Sequence, residues 1–262
     1  LAKSESLSSS FERPEAFTKN NLKKPSDFGF KIEEVKSNDG SSLAYMINRT
    51  MMRINLPAPL APGNSFQFKI KWNYLINNSV KDGGRSGFEL FPDGNKNYTI
   101  AQFFPRLAVY DNVEGWQNMQ FWGRSEWALE FGDYDVRITV PSDHILDATG
   151  ELQNENKVLT REQRKRFEKA RTSFEEPIFI VTQDEAKKAE KGSSNQIKTW
   201  HFNAKNVRDF AFASSRKYIW DAMAVNINGK TVMAISLYPK EGNPLWEEHS
   251  TRVVANTLEE YS

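Results

Sequence analysis

The strictest constraint in this chain is a two-residue period. In FQFKIKWNY, residues 66–74, Phe66, Phe68, Ile70, Trp72 and Tyr74 fall on one face, and Gln67, Lys69, Lys71 and Asn73 on the other. A second alternation puts Tyr134, Val136, Ile138 and Val140 opposite Asp133, Asp135 and Arg137, and Pro141 ends it. Successive side chains of a strand point to opposite faces, so each run predicts an antiparallel strand with one wet face. Turn signals punctuate the runs: NDG at 38–40, PAPLAPG at 57–63, DGG at 82–84 and PDGN at 92–95. Strands at this spacing predict a mostly β chain of the sandwich type. Further strands are expected at 43–56, 197–203 and 209–213, with 144–153 returning as the hairpin partner of 134–140.

Residues 157–195 change character. LTREQRKRFEKARTSF is charged and helical, and Thr160 with Gln163 forms a capping-box pattern. Thr182 with Glu185 repeats it before EAKKAEK. Two surface helices flanking a strand at 177–181 are expected, their charges forming a solvated face. Asn228-Gly229 marks a hairpin over 222–237. The last segment reads as a helix capped by Asn243, with Pro244 at its first position and Trp246, Val253, Val254, Thr257, Leu258 and Tyr261 on one face. The uncovered face suggests that the chain continues in a longer protein. Residues 1–26, Ser- and Lys-rich without an apolar period, are expected to form a polar arm.

Composition closes off several functions. Thirty-five Lys and Arg against 34 Asp and Glu give a net charge of +1, not the basic balance of a nucleic-acid binder. No run reaches the ~20 apolar residues of a membrane span. The chain has no cysteine, which removes disulfides, thiol catalysis and Cys-based zinc sites. HExxH, GxSxG, the phosphate-binding loop and GxGxxG are all missing. The three histidines, His144, His201 and His249, lie far apart and read as structural, so neither a catalytic group nor a metal ligand is assigned.

Some candidates remain. Tyr110, Trp116, Trp122 and Trp127 either fill a core or form a stacking platform for sugars. Asp111, Glu114, Glu126, Glu130, Asp133 and Asp135 could include the facing carboxylate pair of a glycosidase, but solvation explains them equally. Asp111, following an apolar run, is suited to bracing a loop. Calcium at the DG turns competes with ordinary turn chemistry. NxS/T sequons occur at Asn48, Asn77 and Asn97. Gln102, between an apolar strand and a Pro turn, is expected to be a buried amide, bound either to backbone or to a ligand's ammonium.

Several segments together carry a family likeness. IAQFFPRLAVYDNVEGW, EFGDYDVRITVPSDHILDATG and WHFNAKNVRDFAFASSRKYIWDA, preceded by LPAPLAPGNSFQFKIKW, resemble the N-terminal β domain of zinc aminopeptidases of the aminopeptidase N and leukotriene hydrolase kind. The likeness covers residues 32–262. It implies a saddle-like β-sandwich over 27–215 with two inserted surface helices. It further implies that 216–262 are the hairpin and first helix of a truncated, thermolysin-like α/β catalytic domain. The zinc of that family would lie in the missing part of the parent, leaving this chain inert alone and without a cofactor of its own. The chain would wall the active-site cleft against its own catalytic domain, with a peptide as substrate. In that family a Gln of the β domain helps hold the substrate's free ammonium, and Gln102 is the matching residue. Family habit and the missing cysteines fit a periplasmic or secreted setting. The alternative reading is a carbohydrate-binding or protein-interaction β-sandwich.

Overall fold

The computed structural model describes residues 28–120 and 129–262. The expected arm over 1–26, and Trp122, Glu126 and Trp127, lie outside them. The strands are β1 Lys31–Ser37, β2 Tyr45–Asn48, β3 Met51–Ile54, β4 Phe68–Asn73, β5 Gly87–Leu90, β6 Lys96–Ile100, β7 Tyr110–Asp111 and β8 Gly115–Trp116. They continue as β9 Gly132–Pro141, β10 Ile145–Ala148, β11 Glu151–Leu152, β12 Ile178–Val181, β13 Ile197–Val207, β14 Phe212–Ser215, β15 Tyr218–Ile227 and β16 Lys230–Pro239. The helices are α1 Ser79–Asp82, α2 Glu155–Val158, α3 Arg161–Ala170, α4 Gln183–Glu190 and α5 Leu245–Glu260. The chain is mostly β, in small sheets of two to four strands. No helix among the described residues is long and apolar enough to cross a membrane.

Contacts divide the chain into two compact units, Leu1–Ile76 with Arg106–Glu130, and Asn77–Pro105 with Phe131–Ser262. Position 215, where a boundary is expected from the resemblance, lies inside the second unit. Strand β12, from the segment between the two helices, pairs with β15 of the C-terminal hairpin.

In the first unit β1 pairs antiparallel with β4, and the alternation of β4 survives as half-buried Ile70 and Trp72 between exposed lysines. The strand expected over 43–56 is instead a hairpin, β2 with β3. Arg49 adopts a φ of 53° at its turn, and Gln120 straps it by accepting from the Thr50 amide at 3.0 Å and donating to the Asn48 carbonyl at 2.8 Å. No Gly or Pro announces that turn.

In the second unit β9 keeps its alternation, with Tyr134, Val136, Ile138 and Val140 on the inner face. Its partner is not 144–153 but β13, paired from Ile197↔Pro141 to Val207↔Gly132. Residues 145–148 pair with β14 instead. The Ser142 amide extends the β9–β13 ladder by donating to the Gln196 carbonyl at 2.8 Å, and the chain then turns where the His144 amide donates to the Pro141 carbonyl at 3.0 Å. Gly150 follows at a φ of +93°, and a Cβ there would meet the Asn203 carbonyl oxygen at 2.5 Å, so only glycine fits.

Both capping boxes form, Thr160 with Gln163 on α3 and Thr182 with Glu185 on α4. The hairpin of β15 and β16, two strands of ten residues each, closes on Asn228 and Gly229, both at positive φ. All side chains from Tyr218 to Val225 are buried, because helices cover both faces of β15. Trp220 meets Phe167 of α3, whereas Met223 and Val225 share a cluster with Ala255 of α5. A strand covered on both faces loses its alternation and reads as a continuous apolar run.

Two expectations for α5 are corrected. Asn243 does not cap it; its amide donates to Gln183 and Glu247 at 3.1 and 2.7 Å, and Pro244 occupies the cap position without a side-chain bond. The inward face is Thr251, Val254, Ala255 and Leu258. Trp246, Val253, Thr257 and Tyr261 are exposed. Thr251 sets the rotation, because its hydroxyl reaches buried Asp221.

Candidate functional site

The candidate site is built in the second unit around Gln102. Strand β6 ends at buried Ile100, opposite Phe212 of β14. The next residue is clamped: the Ala101 amide donates to Ser86 Oγ at 3.0 Å, and that hydroxyl donates to the Ala101 carbonyl at 3.1 Å. Beyond Gln102, Phe103 packs edge-on to Phe212 at 5.3 Å and Phe104 edge-on to Tyr134 at 5.8 Å. Tyr134 in turn meets Phe210 at 5.9 Å. These five rings come from three segments of the family-like sequence and gather IAQFF, YDVRITVP and NVRDFAF into one cluster.

Gln102 is held between two anchored neighbours at a φ of 54°. The left-handed region is uncommon for any residue but glycine and marks a backbone held by its surroundings. The side chain is exposed, and its amide makes no hydrogen bond among the described residues. The sequence leads one to expect a buried amide, bound either to backbone or to a ligand's ammonium; the fold leaves it exposed and without a backbone partner among the described residues. What stands there is an outward amide with both its carbonyl and its NH2 available, on a fixed backbone.

The other candidates separate. Asp111 braces its hairpin: Oδ1 accepts from the Val113 and Glu114 amides at 2.9 and 2.8 Å, which together with Gln117 holds the carboxyl below its usual range. Tyr110 and Trp116 stack edge-on at 5.3 Å across β7–β8 and are 62% and 55% exposed, so these two do not fill a core. Asp133 and Asp135 are engaged on the wet face of β9, with Lys205 at 3.0 Å and His201 at 2.9 Å.

The histidines do not converge. His144 is buried against Ser214 Oγ at 3.0 Å. Burial first, then the charge of Arg216, pushes it down to about 4, so it is neutral at ordinary pH. His201 bonds Asp135 and His249 is exposed. A catalytic zinc needs three converging nitrogen or carboxylate donors and an open position. The histidines present do not fit that set, and no HExxH exists to supply it.

A cluster that the sequence reading missed involves Asp93, Glu190 and Glu241, whose carboxylate oxygens lie within 4.8 Å of one another. The space between them is taken by the ammonium of Lys217, which is 0% exposed and reaches the three at 2.6, 3.1 and 2.9 Å. Lys240 also contacts Glu190, and the Lys217 ammonium lies 4.7 Å over the Phe91 ring. Burial alone would lower the Lys217 pKa, but its three carboxylate partners raise it above the ordinary value. Burial would likewise raise Asp93, but bonds from Lys217 and the Asn95 amide hold it down at about 2. The one sequence signal was a lysine directly before the apolar run YIWDAMAV.

No family model matches the sequence, and no curated protein does. Solved structures of similar shape are zinc metallopeptidases of the M1 class from Deinococcus radiodurans. One, a point mutant bound to a Tyr-Ser-Ala substrate, is 15% identical, with a TM-score of 0.46 over 87% of this chain and 43% of that one. The enzyme described without a substitution is 16% identical, with a TM-score of 0.43 over 81% of this chain and 38% of that one. The chain thus spans less than half the length of these metallopeptidases.

Proposed function

We propose that this chain supplies the saddle-like β domain and the opening of the thermolysin-like catalytic domain of a zinc aminopeptidase-like metallopeptidase, and that Gln102 anchors the amino terminus of its peptide substrate. The observation that carries the reading is Gln102 itself: an exposed, unbonded amide on a left-handed backbone, fixed by Ser86 on one side and by the Phe103–Phe212 contact on the other. A backbone held this way presents its side chain at little further entropic cost. The amide carbonyl is a neutral acceptor, so it bonds an α-ammonium without adding a charge. Rings from three of the segments that carry the family likeness meet in the aromatic cluster beside it. Zinc belongs to other parts of such a protein, and no step of its chemistry is assigned to these residues.

The test is Gln102→Ala in the peptidase that carries this chain. A hydrogen bond to a charged group is worth ~1.5–3 kcal/mol, so kcat/KM for substrates with a free amine should fall about 10- to 100-fold. The residual activity on N-acetylated counterparts should not change. Equal kcat/KM in variant and parent, or an equal fall on both substrate types, overturns the assignment.

The carbohydrate-binding reading has one observation of its own, the exposed Tyr110–Trp116 pair. If it holds, oligosaccharides should quench the tryptophan fluorescence, and Trp116→Ala should abolish the change. An unaltered spectrum at saturating glycan removes it.

A further inference from the structure

The second unit contains a cavity of about 430 Å³ between β13, the start of β10, α2, the first turn of α3 and one side of α4. Ile145, Leu159, Val181 and Ala186 give it a buried apolar wall. Its charges do not balance. Three cations line it, Lys157, Lys198 and Arg216, against two carboxylates, Asp143 and Glu185. Glu185 is already held by Arg166 at 2.6 Å. Asp143 is already held by Arg216 at 3.1 Å, and Arg216 also donates to Asn95 at 3.1 Å. Lys157 is exposed at the rim.

Lys198 is left over. Its ammonium donates to the Val158 carbonyl at 3.2 Å and lies 4.8 Å over the Trp200 ring. Among the described residues no carboxylate lies within ion-pair distance of it. A neutral carbonyl and a ring face satisfy part of an ammonium but do not neutralise it, and burying an uncompensated charge is costly. Burial accordingly pushes Lys198 down to about 8, with Asp143 acting against that only at a distance. The excess positive field also reaches His144, which both Arg216 and Lys198 help to keep neutral.

We propose that this cavity binds a small aliphatic monocarboxylate, whose carboxylate is the missing counter-ion of Lys198 and whose tail lies against the Ile145–Leu159–Val181 wall. The charge selects an anion, and the wall selects a short hydrocarbon over a sugar acid or a second carboxylate. Ion pairing in a partly dry site is worth more than at the surface, because water screens it less.

The probe is hexanoate, titrated calorimetrically into the 262-residue chain, with hexanol as the uncharged match. Hexanoate should bind at least about tenfold more tightly than hexanol, a difference of about 1.4 kcal/mol. Lys198→Met should erase that preference, and Lys198→Arg should retain it. Circular dichroism establishes that each variant is folded. Should Lys198→Met fail to fold, the comparison of hexanoate with hexanol on the unaltered chain still decides. Equal binding of the two, or no hexanoate binding at millimolar concentration, overturns the proposal. So does an unchanged preference in folded Lys198→Met.

Discussion

Lys217→Met should cost the second unit about 3–5 kcal/mol, the usual loss when one partner of a buried ionic cluster is removed. The methionine fills nearly the same space, so packing is largely kept and the loss is electrostatic. Asp93, Glu190 and Glu241 then face one another without the ammonium that separates them. Urea denaturation at neutral pH is the measurement. Its pH dependence isolates the cause. In the parent, Asp93 is held at about 2 against an ordinary 3.8. A lowered carboxylate pKa gives stability that is complete above the unfolded value and is lost as pH falls through the folded one. The gap between parent and Lys217→Met should therefore narrow from about pH 4 to about pH 2. Adding Glu190→Gln to Lys217→Met should recover part of the loss by removing one of the opposed charges. A gap that is constant with pH would mean that packing, not charge, is what Lys217 supplies.

Trp220→Ala should be equally severe, about 3–5 kcal/mol for a large side chain deleted from a core. Trp220 is 1% exposed, lies 5.1 Å from Phe167 and sits opposite Val181 and Leu237 in the sheet. One ring thus joins α3, β12 and the C-terminal hairpin. If the expected boundary at 215 were a true seam, the hairpin would loosen alone. The packing predicts that it does not: hydrogen exchange should accelerate together in α3 and in β16. Trp220→Phe should be much milder, because the indole Nε1 is buried without a hydrogen-bond partner and phenylalanine removes that unpaired donor. Protected α3 amides beside exchanging β16 amides would instead place a seam at 215.

What the sequence revealed was local. The alternation of β9, the two capping boxes and the Asn228-Gly229 turn each depend on residues a few positions apart, where backbone and side-chain chemistry act directly. Long-range choices were hidden. Nothing in 144–153 says that β10 will be taken by β14, or that β9 will wait for β13, since both candidates are apolar strands of compatible length. The rotation of α5 was misread because the decisive contact is Thr251 with Asp221, a polar pair that a search for apolar stripes passes over. Gln102 was singled out by its neighbours, but its exposure and its left-handed φ come from Ser86 and Phe212, far away in sequence. Lys217 escaped for a related reason: an ammonium is read as surface until three carboxylates from separate segments are seen to meet it.

The pairing of β12 with β15 also bears on how this chain is made. A ribosome delivers Ile178, Phe179, Ile180 and Val181 before Tyr218 and the residues after it exist. Until then the IFIV strand has only its flanking helices for cover and offers bare amides and carbonyls along an apolar edge, the kind of edge that recruits other strands. Each flanking helix begins with its own capping box and can form from local sequence alone. Their exposed lysines and glutamates keep the flanks of the waiting strand hydrated, a setting suited to a strand whose partner arrives late.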